Sequence, residues 1–299
     1  MKNGEYMKNK VILYLAAKGF FRYLPDEIYL KMIYRAELGK KLNLKNPQSF
    51  NEKLNWKKLN DRKPVYTEMA DKYLVKQYVA ERIGENYIIP LYGVWDQFED
   101  IDFDMLPKTF VLKSTHDCGG VVICKDKDMI NKKLVGEFFE KRLRKNYFWW
   151  RREWPYKDIT PRIIAEEYVK DQNQEHLPVY KFFCFHGVPR IIQSIQNDKQ
   201  EDETIDYFDV KWNLLDLKQN FPNSKMPLEK PDMLEEMVAV ASELSEGHDF
   251  IRVDLYVINN QIKFSEFTFY SDAGINVFEP ESWDKKLGSW INLKVNNTK

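Results

Sequence analysis

The spacing of apolar positions changes along the chain, and each spacing predicts a different kind of element. Over residues 1–85 apolar side chains recur every three or four positions, the period of a helix that buries one face. A turn at Asn46-Pro47 interrupts this run. Ser49 followed three residues later by Glu52 then has the form of a capping box, which predicts a helix through Leu54, Trp56 and Leu59. A further helix is expected over 65–83, closed by Gly84 as a C-terminal cap. Nearer the start, the apolar run 11–21 contains Lys18 and falls well short of the roughly 20 residues that cross a bilayer. It also lacks a small-residue cleavage pattern. It reads as an amphipathic helix packed on the domain, with peripheral contact to a membrane surface or a partner as the alternative.

From residue 87 the texture shifts to short β-branched and aromatic runs. Strands are expected at 87–92 and 109–113; the second leads into Ser114-Thr115-His116-Asp117-Cys118-Gly119-Gly120 and then the apolar run 121–124. Strand, glycine turn, strand is the simplest parse. A helix rich in basic and aromatic residues should span about 130–148, with strands at 162–169, 179–186 and 189–195 and a helix near 231–245. Two last strands, 250–258 and 261–269, meet at the turn Asn259-Asn260. No internal repeat or low-complexity linker divides the chain.

Composition narrows the chemistry. The 299 residues suit one catalytic unit of two or three subdomains sharing a cleft. Lys and Arg number 46, Asp and Glu also 46, so the formal net charge is zero and the electrostatic case for duplex nucleic acid disappears. Anion binding must be local. Three widely spaced cysteines, Cys118, Cys124 and Cys184, show neither zinc-site nor disulfide spacing and imply a reducing cytoplasm.

The most informative segment is Arg252-Val253-Asp254-Leu255-Tyr256, followed across the hairpin by Phe264-Ser265-Glu266-Phe267-Thr268. Alternation puts Arg252 and Asp254 on one strand face and Glu266 and Thr268 on one face of the next, and a short hairpin brings such faces side by side. Two converging carboxylates repel unless a cation lies between them, and hard oxygen ligands favour magnesium, here one carried by a nucleotide. Arg252 offers a planar donor fork to phosphate or an oxyanion. The competing reading is a solvated face with ordinary ion pairs.

Lys113 ends an apolar strand just before Gly119-Gly120, where an ammonium and backbone amides could hold phosphates under a closing loop. The pattern is neither a Walker A motif nor a dinucleotide fingerprint. His116 is a candidate base or only a contact. Glu166 and Glu167 near the end of one strand, and Lys181 at the start of another, are either functional or structural.

In this order the pieces resemble the ATP-grasp superfamily, and more closely its teichuronopeptide-biosynthesis (TupA-like) branch. The resemblance runs from about residue 44 to 288 and rests on Ala70-Asp71-Lys72 with Lys76, on 110–120, on Arg152-Glu153-Trp154-Pro155-Tyr156, on 165–169 and 180–187, and on the two hairpin strands. It implies an α+β fold, with two α+β subdomains clasping a nucleotide after a helical N-terminal region. That gives a helical region at 1–85, a connecting strand and loop at 86–108, a glycine-loop lid at 109–170 and a catalytic subdomain with the metal site at 171–299.

The resemblance also implies roles. Lys113 and Lys72 are similar to phosphate ligands, Gly119 and Gly120 to the closing loop, and Glu166, Glu167 and Val169 to the hinge that receives adenine and ribose. Lys181 is similar to a basic residue facing the phosphates, and Arg252 to the arginine that steadies the transferred phosphoryl group. Asp254 and Glu266, with Thr268 where the superfamily often has Asn, are similar to the magnesium ligands, so one metal or two are expected. Val179 stands where the pattern has an acid.

The implied reaction is an ATP- and Mg2+-dependent carbon–nitrogen ligation, in which a carboxylate becomes an acyl phosphate and an amine displaces phosphate. In this branch the carboxylate belongs to a bacterial surface polysaccharide, such as a uronic acid, and residues 142–156, with tryptophans among cations, suit an acidic sugar. Competing readings are a glycosyltransferase or sugar-modifying transferase built on Asp102-Phe103-Asp104, an ATP-grasp kinase, and a non-catalytic protein that keeps the fold.

Overall fold

The computed structural model describes residues 2–170, 177–197 and 200–293, with side chains from Tyr6 onward. Five helices open the chain: α1 Lys2–Ala17, α2 Asp26–Leu38, α3 Phe50–Asn60, α4 Val65–Ala70 and α5 Leu74–Ile83. The capping box forms at α3. Ser49 Oγ accepts from the Glu52 amide at 3.3 Å, and Glu52 Oε2 accepts from the amides of Ser49 and Gln48 at 3.1 and 2.8 Å.

The single helix expected over 65–83 is two. Asp71, only 1% exposed, turns its carboxylate onto the amides of Tyr73 and Leu74 at 2.8 and 3.4 Å, so an internal side-chain cap restarts the helix and leaves Lys72 in the break. The strand expected at 87–92 also moves. Glu85–Tyr87 forms a 3₁₀ turn and pairing begins at Leu91.

Two antiparallel sheets follow. The first holds β1 Leu91–Trp95, β2 Phe110–Ser114, β3 Val121–Cys124 and β4 Ile163–Glu167 in the order β1-β4-β2-β3, with Phe110 opposite Cys124 and Lys113 opposite Val121 across the glycine turn. The basic-aromatic stretch forms α6 Lys132–Leu143, which covers this sheet through Phe139, and the short α7 Phe148–Arg151.

The second sheet holds β5 Val179–Phe185, β6 Val188–Gln196 and β7 Thr204–Phe208, then, beyond the two-residue β8 Lys218–Gln219 and α8 Leu234–Ser245, β9 Ile251–Ile258 and β10 Gln261–Thr268, in the order β10-β9-β5-β6-β7. A two-residue β11 Phe278–Glu279 pairs with β8, and α9 Ser282–Ser289 ends the described elements. One face of the second sheet buries Val253, Leu255 and Phe182 in the main core, where α8 packs; the opposite face holds Phe250 against Phe50 of α3, ring centroids 4.9 Å apart, and beyond it carries charge.

Candidate functional site

The hairpin β9–β10 turns at Asn259-Asn260, both with positive φ of 49° and 58°, as a two-residue turn matched to strand twist requires. Continued regularly, its register would place Ser265 opposite Asp254 and send Glu266 to the core face with Val253. A β-bulge at Ser265 prevents this. Phe264 pairs with Leu255, one residue is passed over, and Glu266 then faces Asp254 and Thr268 faces Arg252. The bulge is visible in the sequence as a slip in apolar spacing: Ile262, Phe264, Phe267 and Phe269 are all buried, and the middle step is three residues instead of two.

On the charged face, Arg252 donates from Nε and Nη2 to the two Asp254 oxygens at 2.7 Å each, a bidentate pair at the floor of the site, with Asp254 1% exposed. Arg252 Nη2 also lies 3.8 Å from Glu266 Oε1. The cation between the two carboxylates is therefore, in part, Arg252 itself. Lys181 is the register partner of Asp254 on β5, with its Nζ 3.9 Å from Oδ2. Burial would lower the Arg252 pKa, but Asp254, Glu266 and Asp272 raise it.

Glu266 sits deep between the two sheets, although nearly half of its side chain stays open to solvent. Burial would raise its carboxyl pKa; Lys72, Arg252, Lys181 and Lys113 outweigh that and hold it below the usual range. Four cations from four separate segments thus bear electrostatically on one carboxylate: Arg252 stands 3.8 Å away, and Lys72 and Lys113, bonded to Asp117 O and Glu166, act from the glycine-loop side. Lys113 Nζ reaches Glu166 Oε2 at 2.5 Å, and Lys76 Nζ reaches Oε1 at 2.8 Å. Glu166 is held ionised by these lysines against its burial, and Lys113 remains charged for the same reason. Tyr256 joins the group, its phenol pKa raised by burial beside Lys113, Ser265, Glu266 and Asp254.

The glycine turn is built to hold one shape. Lys72 donates from its amide to something other than its own helix, bonding Thr115 O at 3.1 Å, and from Nζ to Asp117 O at 2.5 Å. Arg142 pairs with the Asp117 carboxylate at 2.5 Å, and Ser114 Oγ donates to the other carboxylate oxygen. Gly119 takes φ +79°, and a Cβ on Gly120 would collide with Ser114 Oγ and Asp117 Oδ1.

Two expectations change here, at His116 and at Asp102-Phe103-Asp104. His116 is 2% exposed and its Nε2 meets Arg142 O at 3.1 Å, so in this loop position it fastens the turn and is not open to act as a base. The carboxylate of Glu166 is taken up by two lysines. Glu167 and Val169, half-buried, lie at and beyond the end of β4, where the Glu167 amide bonds Pro90 O at 3.0 Å. The Asp102-Phe103-Asp104 segment is a 3₁₀ turn in which Asp102 caps the Asp104 amide at 3.0 Å and Phe103 is buried, so the two acids do not converge.

Sequence reasoning missed the wall beside Arg252. Lys58 and Glu153 are both buried and face each other electrostatically; burial brings the Lys58 pKa down to about 7 and the Glu153 pKa up to about 7, and their mutual attraction opposes both shifts. Lys58 Nζ donates to Ala273 O at 2.7 Å and Arg151 O at 2.9 Å. Asp272 and Ala273 both hold left-handed backbone, φ 43° and 52°, a strained pair that these bonds pin in place. A second run of polar contacts supports the floor: Gln193 donates to Tyr207 at 3.2 Å, Tyr207 to Gln219 at 2.9 Å, and Gln219 to Asn276 at 2.6 Å and to Asp272. Lys58 is at helical spacing from Asn51 and Asn55, and that polar stripe was the available signal.

Of the expected acidic-sugar surface, Arg152 is fully buried. It pairs with Asp26 at 3.1 Å, lies against Tyr29 and Trp149, and bonds the carbonyls of Phe21 and Arg22. Arg151 pairs with Glu37 at 2.7 Å. The aromatic-cation stretch mostly fastens α7 to the N-terminal helices. A cavity of about 740 Å3 between α5 and β1, lined by Tyr73, Lys76, Gln77, Ile88, Pro90 and Leu91, adjoins the site through Lys76. A second, of about 560 Å3, lies outside the first sheet along α6 and shares no residue with the site.

Two antiparallel sheets bring lysines and acids to one junction, and the α+β architecture is of the ATP-grasp kind. A family model described as TupA-like ATPgrasp matches residues 52–292, and the chain belongs to that family. No curated protein matches it. Among solved structures, the chain is similar to D-alanine–D-alanine ligase from Bacillus anthracis complexed with ATP, at 18% identity and TM-score 0.44, covering 75% of this chain and 63% of that one. It is also similar to a RimK domain ATP-grasp protein from Sphaerobacter thermophilus, at 11% identity and TM-score 0.41, covering 76% and 69%. The ATP-grasp ligase PsnB, solved with minimal precursor, Mg and ADP, is 10% identical with TM-score 0.38, covering 81% and 58%. The chain thus spans about 63% of the length of the first of these ligases. Among the described residues no helix is long and apolar enough to cross a membrane.

Proposed function

We propose that the chain is an ATP-dependent carboxylate–amine ligase acting on a carboxylate borne by a surface polysaccharide or its precursor, such as a uronic acid. The observation that carries this reading is the cross-strand pairing of Asp254 and Glu266 in the field of four cations. Lys72, Lys113 and Lys181 then hold the β- and γ-phosphates, with the Gly119-Gly120 turn over them and the end of β4, from Glu166 to Val169, beside the base and ribose. Arg252, oriented by Asp254, steadies the phosphoryl group as it moves to the substrate carboxylate. An amine then displaces phosphate from the acyl phosphate, and ADP leaves.

The residues fit magnesium. Among the described residues no cluster of three or more His, Cys, Asp or Glu could hold a metal alone, but nucleotide-borne magnesium needs only one or two carboxylates, with phosphates and water completing its shell. Asp254 and Glu266 supply those carboxylates, with Thr268 beside them. Magnesium, when bound, draws charge from the γ-phosphate. The protein's own contribution is positioning and a preset positive field, which is what phosphoryl transfer asks of a site without a nucleophile.

The test is thermal unfolding with ATP and magnesium, followed by ADP release against a panel of sugar acids and amines. A rise in melting temperature with ATP-Mg, absent with sugar nucleotides, and turnover that needs both acid and amine are expected. Stabilisation by a sugar nucleotide alone would point to a transferase, and turnover without an amine to a kinase.

A further inference from the structure

We propose that the outer face of the N-terminal helical pair docks on an anionic lipid membrane. α1 packs one side against α2 through Leu13 and Ala16, which meet Tyr29 and Ile33. A helix that is polar on its other side would be complete at that point, but α1 is not. Its outward face carries Met7, Val11 and Tyr14, all exposed; Tyr6, two turns before Leu13, is exposed as well, and the turn that follows adds Phe20 at 72% and Tyr23 at 91% exposed. An apolar and aromatic stripe on both sides of a helix calls for cover on both sides.

Charge identifies the cover. Lys8, Lys10, Lys18 and Arg22 lie among these residues, and no acid occurs between Glu5 and Asp26, in a chain whose overall charge is zero. Lys10 lies over Tyr6 at 4.5 Å and Lys18 over Tyr14 at 5.6 Å, so ammonium groups and aromatic rings share one surface. Tyrosines with an apolar body and polar tip, mixed with lysines and short of acids, match the headgroup layer of an anionic bilayer, where a helix lies in the plane of the interface. This surface lies outside the matched family region, which begins at residue 52, and the proposal stands apart from the ligase reading.

The experiment is co-sedimentation of the full chain with vesicles of phosphatidylglycerol and phosphatidylcholine, compared with phosphatidylcholine alone. The chain is expected to pellet with the anionic vesicles only, and less so as salt rises. At about fivefold per cationic side chain, the triple variant K8Q/K10Q/K18Q should lower the partition coefficient by roughly one hundredfold. Y14S/F20S should lower it at least fivefold (~1 kcal/mol) with an unchanged melting temperature, since both rings are exposed. Pelleting with neither vesicle, or equally with both, overturns the proposal. So does a chain that light scattering shows to be dimeric and that Y14S/F20S makes monomeric without vesicle binding, because the face is then a subunit contact.

Discussion

Asp254 and Glu266 are neighbours with opposite sensitivities. Asp254 is buried and holds both oxygens against the Arg252 guanidinium, so Asp254→Asn leaves a buried cation with half its partner. Breaking such a pair costs about 3–5 kcal/mol. The Asp254→Asn protein should unfold at clearly lower denaturant. Glu266 keeps nearly half of its side chain in solvent and only a long 3.8 Å pairing to Arg252, so Glu266→Gln should change unfolding far less than Asp254→Asn while abolishing the stabilisation by ATP-Mg. If Glu266→Gln binds ATP-Mg as the wild type does, the proposed metal site is wrong.

At this scale the sequence was informative about which side chains gather and less so about what they gather around. Arg252, Asp254 and Glu266 gather because strand alternation and a short hairpin are local rules, and Lys181 joins them at 3.9 Å from Asp254; Lys72 and Lys113 bond Asp117 O and Glu166 and bear on Glu266 only through their charge. Glu153 and Lys58 were out of reach: they are 95 residues apart and meet only through the packing of α3 against the segment after α7, which no local pattern encodes.

Among elements, the β9–β10 hairpin decides the site. The bulge at Ser265 turns Phe267 into the core beside Phe264, ring centroids 4.8 Å apart, and frees Glu266 for the charged face. Phe267→Ala should therefore cost about 3–5 kcal/mol in urea unfolding, and Ser265→Ala under about 0.5 kcal/mol. A regular hairpin predicts a lesser cost at Phe267, so the comparison reads the register directly. The glycine turn gives another contrast. Gly120→Ala forces Ser114 and Asp117 apart and should weaken ATP-Mg binding.

The helices were legible to differing degrees. The capping box at Ser49 was read correctly because both partners lie within four residues, and Ser49→Ala should lower stability by about 1 kcal/mol. The break at Asp71 was not, since the apolar period continues across it and only the burial of Asp71 beside Arg162, 3.2 Å away, shows why the chain turns there.

At the scale of the whole molecule, two helices far apart in the sequence, α3 and α9, close on each other. α9 packs against α3 so tightly that a Cβ on Gly288 would lie 2.6 Å from Ser49 C and 2.7 Å from Phe50 N. Nearby, His248 lies between Tyr66 and Phe269, and burial, helped by Lys63 and Lys57, lowers its pKa to about 4. The unfolded chain takes up a proton near 6.5 and the folded one does not until about 4. This group's stability is therefore present above about 6.5 and lost as pH falls toward 4, on the order of 3 kcal/mol in full. His248→Phe should flatten the acid limb of stability between those values, measured by melting temperature against pH.

The polar stripe on α3 has a consequence for biosynthesis. Asn51, Asn55 and Lys58 bond the backbone of Asn276, Gly274 and Ala273, each more than two hundred residues later. A ribosome delivers the stripe first and these acceptors more than two hundred residues later. Until then α3 keeps these amides and this ammonium in water, and the joint beneath Arg252 closes only after residue 276 has emerged. Long-range closure of this kind is slow, so the nascent chain should remain accessible to chaperones until residue 276 has emerged, and fragments stopping before residue 270 should lack a docked α3.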